Sequence, residues 1–401
     1  MATTSRNIRR YYLSFNLNVF AMGLVGVFIN LYFFSTGSYV DVIYYQIFAY
    51  LFTFVAFALS GYLMNRYRPN RVYMLGSALF IFLLIDLLSS TGFLSSAIVF
   101  GAAWGVAIGM FYAGNNVIMF DITERANRTN FVATNNALGG LARFFAPIIA
   151  GALIEFSALP GTQKFFWDFA ITAVFLLLSI YFIIKVRDND GYNLNYSLKK
   201  DIIRGRDSHI KFSAYFALDA LFVKAFGIIL PIYVFQITRS YLIAGIFAGF
   251  IILLGMVTNF VFRKGFRADG PFVNIAVPGM IISSLVLLFP SVISSLAAAF
   301  VFGGLYTIFS TPLDNAVLVN YMKFLDKNRD INREMFWVNR EFYLMMGRMA
   351  VLLPMLLIAF FLTNTMDFVF IIPVLSLYAP IYYKLVAKGR IKPLFFIKRH
   401  M

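Results

Sequence analysis

Twelve apolar stretches divide this 401-residue chain, and each is long enough to cross a lipid bilayer. They run over 11–34, 40–64, 71–90, 94–120, 130–156, 164–186, 211–236, 240–262, 270–290, 292–322, 335–362 and 366–386. A hydrocarbon layer about 30 Å thick needs roughly 20 helical residues at about 1.5 Å each. Hydrophobic residues make up 61% and charged residues 13% of the chain, too apolar a mix for any water-soluble core to bury. The stretches lack a strand's alternation, and hydrocarbon tolerates no unpaired backbone amides, so each is expected to be a helix. The first has no small-residue cleavage site and is read as a retained helix, not a signal peptide.

The basic residues set the orientation. Of 34 Lys and Arg, 28 fall in the N-terminus, every second connection and the C-terminus. Only Lys164 and Arg239 lie in the other connections, and Arg143, Lys224, Arg340 and Arg348 lie within spans. The positive-inside bias then puts both termini in the cytoplasm of a multi-pass protein of the cell membrane. The net charge of +16 resides beside membrane segments, so anionic lipid is its expected partner and nucleic acid is not. The absence of cysteine excludes disulfides, thiolate metal sites and cysteine nucleophiles. His209 and His400 sit in basic segments, which argues against a histidine-built metal site. No phosphate-cradling glycine loop, Ser/His/Asp set or paired carboxylates on a soluble face appears, so neither a cofactor nor enzyme chemistry is expected.

The long sixth connection, 188–210, separates a half at 1–187 from one at 211–388, and 389–401 is a basic tail. Tyr196 to Arg206 fits either a short helix on the inner membrane surface or a solvated linker. The tail interleaves Leu394, Phe395, Phe396 and Ile397 with basic residues, as an interfacial anchor would. The halves repeat one another. Asn115 and Asn116 precede Asp121 in the fourth stretch as Asp314 and Asn315 precede Asn320 in the tenth. Arg143 and Arg348 stand at like positions in the fifth and eleventh, and Asn136 and Glu341 each come seven residues earlier. A duplicated six-helix unit is the kind of repeat that transporters show.

A charge at a helix centre costs ~2.5–3.5 kcal/mol on insertion scales unless it faces a cavity or a partner. Arg143, Lys224 and Arg348 all fall ~20 Å from the inner ends of their helices, near mid-membrane, as an anion-attracting cavity would need. The acids are Asp86, Asp219, Asp314 and Glu341. Seven residues are nearly two turns, so Glu341 shares a face with Arg348, and Asn136 with Arg143. A carboxylate opposite an arginine can release its proton when substrate takes the arginine, which would couple transport to protons. Interhelical ion pairing is the alternative for each charge. Asn16, Asn18, Asn30, Gln46, Tyr112, Asn115, Asn116, Asn135 and Asn136 add polar groups to the first, second, fourth and fifth stretches. Trp104, Phe111, Tyr112 and Tyr233 are candidates to line a hydrophobic pocket.

The second connection reads Gly61-Tyr-Leu-Met-Asn65-Arg66-Tyr-Arg68-Pro69-Asn70-Arg71. It resembles the signature between helices 2 and 3 of the major facilitator superfamily. Gly61, Arg66 and Arg71 fit, Asn65 replaces the usual Asp, and Arg68-Pro69 disturbs the glycine step. The fifth stretch carries Arg143-Phe-Phe-Ala146-Pro147-Ile-Ile-Ala150-Gly151, similar to the family's antiporter motif with Ala at two glycine places. With twelve spans and two similar halves, the resemblance covers nearly the whole chain. It implies two pseudo-symmetric six-helix bundles that rock about a midplane site, working as a monomer. It also implies a cytoplasmic latch at Gly61, Asn65, Arg66 and Arg71, for which Asp121 supplies the acid.

The expected function is proton-coupled transport of a small organic solute, anionic solutes included, with export the implied direction. Arg143, Arg348, Lys224, Asn18, Tyr112, Asn115, Asn116 and Asn136 would bind the solute. Asp314, Glu341 and Asp219 would carry the proton. Helices 1, 4, 7 and 10 line the centre in this family, which makes Asp86 peripheral. An uptake symporter or uniporter for a sugar, amino acid or organic anion is the nearer alternative, and a lipid flippase or a membrane receptor the more distant one.

Overall fold

A computed structural model describes residues 2–89, 96–123, 128–186, 227–262, 271–286, 295–327 and 333–361. Asp219, Lys224, the segment 196–206, the stretch 366–386 and the tail lie outside these described residues. The elements are helices α1 (Ala2–Thr36), α2 (Tyr39–Arg66), α3 (Pro69–Leu88), α4 (Ala97–Ile122), α5 (Arg128–Glu155) and α6 (Phe166–Ile184). A 3-10 turn at Gly161–Phe165 leads into α6. There follow α7 (Gly227–Thr238), α8 (Tyr241–Phe262), α9 (Pro271–Val286), α10 (Leu296–Lys327) and α11 (Arg333–Phe361). Among the described residues, eight helices are long and apolar enough to cross a membrane.

Several helices outrun the apolar stretches that mark them. α1 begins at Ala2, so Arg6, Arg9 and Arg10 are helical. The reason is that backbone hydrogen bonding does not stop where hydropathy falls. Asp41 lies in the first turn of α2. Its Oδ2 accepts from the Ser38 N–H at 2.9 Å while Ser38 Oγ accepts from the Val40 N–H at 3.1 Å. This reciprocal cap satisfies amides that a helix start leaves without partners. At α3, Pro69 takes the first turn, where a missing N–H costs nothing, and holds Arg68 extended. The Arg68-Pro69 departure from the family signature is thus what starts α3.

The described residues divide into two compact units, one holding those within 1–200 and 238–253, the other those within 201–237 and 254–401. In the first, α4 lies between α2 and α3, and glycine makes both contacts possible. Gly101, Gly105 and Gly109 form a stripe at every fourth residue against α2. A Cβ at Gly105 would overlap the Ala49 carbonyl oxygen, and one at Gly109 would lie 2.5 Å from the Thr53 carbonyl oxygen. On the α3 side, a Cβ at Gly76 would lie 2.6 Å from the Phe111 nitrogen, and one at Gly114 would lie 2.7 Å from the Tyr73 nitrogen. Lipid tails are as apolar as leucine, so helices associate in membranes through such close packing and not by expelling water.

Polar groups tie α1, α3 and α6 together. Ser14 Oγ donates to the Ser179 carbonyl and Ser179 Oγ to the Ser14 carbonyl, both at 2.8 Å. The Tyr73 hydroxyl lies 3.2 Å from each serine oxygen, and all three side chains are buried. Nearby, Asn70 Nδ2 donates to the Val186 carbonyl at 2.8 Å and Arg10 Nη1 to the Lys185 carbonyl at 2.5 Å. Elsewhere hydroxyls return to their own helix. Thr53, Ser60, Thr123, Ser283, Thr307 and Thr311 each donate to the carbonyl four residues earlier at 2.7 Å.

α5 sits between α1 and α8 within the first unit. Towards α1, a Cβ at Gly23 would lie 2.8 Å from Ala146 Cβ, and one at Gly139 would lie 3.4 Å from Asn16 Oδ1. Towards α8, a Cβ at Gly245 would overlap the Pro147 carbonyl oxygen, and one at Gly151 would lie 2.6 Å from the Tyr241 carbonyl oxygen. Glu155 Oε2 accepts from the Tyr241 N–H at 2.8 Å, placing a carboxylate at the positive end of α8. In the second unit, α9 packs on α10 where Gly279 faces the Phe309 ring.

Leu in place of Gly105 is expected to destabilise the protein by about 1–3 kcal/mol or more through overpacking. Gly26, with nothing near its missing Cβ, should accept Ala without loss. Thermal unfolding and size-exclusion profiles of the two purified variants check this; an unchanged midpoint for Gly105→Leu would contradict the packing described.

Candidate substrate site

The polar residues predicted to bind solute separate into two groups by burial. Asn18 is fully buried and donates from Nδ2 to Ser77 Oγ at 3.2 Å on α3. Asn115 is also buried, its Oδ1 accepting from the Tyr11 hydroxyl at 2.8 Å. Asn30 is buried and accepts from Gln46 Nε2 at 2.6 Å on α2. These amides join helices in the interior of the first unit. Tyr112, Asn136 and Arg143 are instead exposed, and Asn116 is half-buried.

The faces of α5 give that exposure a meaning. Leu138, Leu141, Phe145 and Ile149 are exposed and form an apolar stripe. Helical geometry puts Asn136 and Arg143 about opposite that stripe. They fall between the α1 contacts at Gly139 and Ala146 and the α8 contacts at Pro147 and Gly151. One side of α5 is therefore fit for lipid, and the other is open and polar midway along the helix. Asn16 extends this polar side, donating from Nδ2 to Asn135 Oδ1 at 3.3 Å. An exposed guanidinium midway along a membrane helix needs water or protein to face.

In the second unit, Glu341 meets Arg340 Nη1 at 3.4 Å, and the Arg340 guanidinium lies 5.3 Å from the centroid of the Trp337 ring. The two residues are adjacent in sequence, so this ion pair does not join helices. Arg348, two turns along α11, is half-buried. Asp314 lies on α10. Of the latch residues, Gly61 is buried, Asn65, Arg66 and Arg71 are exposed, and Asp121 is half-buried. The Arg66 guanidinium lies 6.0 Å from the centroid of the Tyr67 ring. Trp104 is buried between the rings of Phe80 and Phe100, at centroid distances of 4.6 and 5.5 Å, Phe111 packs on Tyr73 at 4.6 Å, and Tyr233 is buried. These aromatic candidates belong to packed interiors. Among the described residues, no three His, Cys, Asp or Glu side chains gather to hold a metal ion.

Sequence reasoning did not find the Gly101/Gly105/Gly109 stripe, although its four-residue spacing was visible. It also missed Glu155 as a helix cap and the buried Asp168 of α6, which sits so near a span boundary that hydropathy passes over it.

Comparison with known proteins agrees with this architecture. The sequence description of the Major Facilitator Superfamily matches residues 11–329. The chain is 27% identical over 236 residues to the uncharacterized protein YqgE of Bacillus subtilis (strain 168), covering 56% of this chain and 53% of that one. It thus spans about half the length of that relative. It is 30% identical over 158 residues to an uncharacterized protein in the sodM 3' region of Geobacillus stearothermophilus, covering 38% and 73%. A bacterial homologue of the iron transporter ferroportin, solved in an inward-facing state, superposes with a TM-score of 0.67 at 16% identity, covering 96% of this chain and 98% of that one. A bacterial homologue of the human drug peptide transporters PepT1 and PepT2 gives 0.70 at 11%, covering 96% and 97%. The nucleoside transporter NupG gives 0.66 at 11%, covering 95% and 99%. Identities this low speak for the fold alone. With its membrane-crossing helices and the match over 11–329, the chain belongs to the Major Facilitator Superfamily and is a multi-pass protein of the plasma membrane.

Proposed function

We propose that the protein is a proton-coupled carrier that moves a small organic solute, anionic solutes included, by alternating access, with export as its direction. Twelve helices form two six-helix bundles at 1–187 and 211–388, the linker 188–210 joins them, the tail 389–401 follows, and both termini lie in the cytoplasm. The working unit is a monomer. Arg143 and Asn136 bind the solute together with Tyr112, Asn116, Arg348 and Lys224. Asn115 acts by fixing α4, which carries Tyr112 and Asn116, and Asn18 by joining α1 to α3. Asp314, Glu341 and Asp219 carry the coupling proton. Gly61, Asn65, Arg66, Arg71 and Asp121 form the cytoplasmic latch.

The observation that carries this reading is the exposed Arg143 midway along α5, on the side opposite its apolar stripe. A guanidinium held there attracts an anionic group and can give it two parallel hydrogen bonds. Among the antiporter-like residues around it, Pro147 and Gly151 pack against α8.

A thermal-shift screen of purified protein at two pH values should find a stabilising solute. Arg143→Ala and Arg348→Ala should each weaken its binding by about 1.5–3 kcal/mol, on the order of tenfold to a hundredfold, while the folded yield stays the same. Full affinity in both variants would remove these arginines from the site. Counterflow in vesicles under an imposed pH gradient separates export from uptake symport and from uniport.

Orientation has its own test, since the chain is free of cysteine. On intact cells a membrane-impermeant maleimide should label Ala158→Cys and leave Ser208→Cys unlabelled. The reverse pattern would invert the topology.

A further inference from the structure

Asp168 lies in the first turn of α6 and is fully buried. Neither of its carboxyl oxygens meets a hydrogen-bond donor. One turn further, Thr172 is also fully buried, and its hydroxyl has no partner. This departs from the habit of the chain, in which Thr53, Ser60, Thr307 and Thr311 return their hydroxyls to the carbonyl four residues before. Residues four apart share a helix face. Two carboxyl oxygens and a hydroxyl are thus offered to one buried spot.

The surroundings are aromatic. Phe165 and Phe169, three residues before Asp168 and one after it, pack on Tyr32 with ring centroids 5.5 and 6.1 Å away, and Phe165 meets Tyr241 at 5.5 Å. On the elements packed around this end of α6, the titratable and charged groups are Tyr32 of α1, Asp86 of α3, Glu155 of α5, Lys164 of the 3-10 turn and Tyr241 of α8. None of them hydrogen-bonds Asp168. Glu155 is engaged with the Tyr241 N–H. An ionised carboxylate left without a partner inside a membrane protein costs several kcal/mol, whereas a neutral carboxyl is both a donor and an acceptor.

We propose that Asp168, supported by the Thr172 hydroxyl, is a proton-binding site of the first unit, separate from the acids assigned to the solute site. The bound proton makes one carboxyl O–H bond. It comes from water when this end of α6 opens and returns to water when it leaves. Under the orientation proposed above, the site exchanges protons with the outer face. Its use in coupling transport rests on the carrier reading, but its protonation does not.

Infrared difference spectroscopy on the full-length protein in lipid nanodiscs tests this. Wild type at neutral pH should show the carbonyl band of a protonated carboxyl, and Asp168→Asn, close in shape to the neutral acid, should lack it. Identical spectra would overturn the proposal. If the Asn variant fails to fold, Thr172→Val leaves the carboxyl in place and should shift the band; an unshifted band would count against the site. Loss of the wild-type band on adding sodium at constant pH would make the ligand a metal cation and defeat the proton assignment. If wild-type transport ignores a pH gradient, the coupling falls, and the infrared band still decides whether Asp168 is protonated.

Discussion

Backbone-to-backbone approach along α4 is the contact on which the first unit depends. Helices immersed in hydrocarbon gain little by hiding leucine from lipid, so they need surfaces that fit closely. Gly101, Gly105 and Gly109 let α2 come within reach of their backbone, and Gly76 and Gly114 do the same for α3. α5 repeats the device with α1 through Gly23 and with α8 through Gly151, Gly245 and Gly249. These seams place the helices that bear Tyr112, Asn116, Asn136 and Arg143 and leave those side chains free of packing duties.

Hydrogen bonds follow the same economy. Many hydroxyls and amides inside the unit return to their own helix or join a neighbour, as Ser14, Tyr73 and Ser179 do and as Asn18 does with Ser77. In low dielectric such bonds are strong and unmade ones are costly. The polar groups that stand outside this economy carry the functional proposals: the exposed Arg143 and the enclosed Asp168.

An all-helical membrane fold was legible from hydropathy, and the family from short motifs. The match over 11–329 agrees with the resemblance read in Gly61 to Arg71. Helix ends were less legible, because apolar runs mark the embedded part and not the hydrogen-bonded length, as Ala2 and Arg66 demonstrate. The site was legible in part. Arg143 and Asn136 were visible as one polar face because seven residues bring two positions into line. Asn18 and Asn115 could not be told apart from them, since composition does not say whether an amide faces an opening or a neighbouring helix. Asp168 escaped notice because a carboxyl at a span end looks like a loop residue until its burial is known.

Pro147 gives α5 one more property. Proline has no N–H, so the carbonyl of Arg143, four residues earlier, lacks its usual helical donor. One rung of the ladder is missing at the turn that carries the guanidinium. Bending there breaks fewer bonds than bending elsewhere, while the glycine seams on either side stay intact. The charge therefore sits on a joint: α5 can tilt it through a small arc and leave the rest of the scaffold where it was.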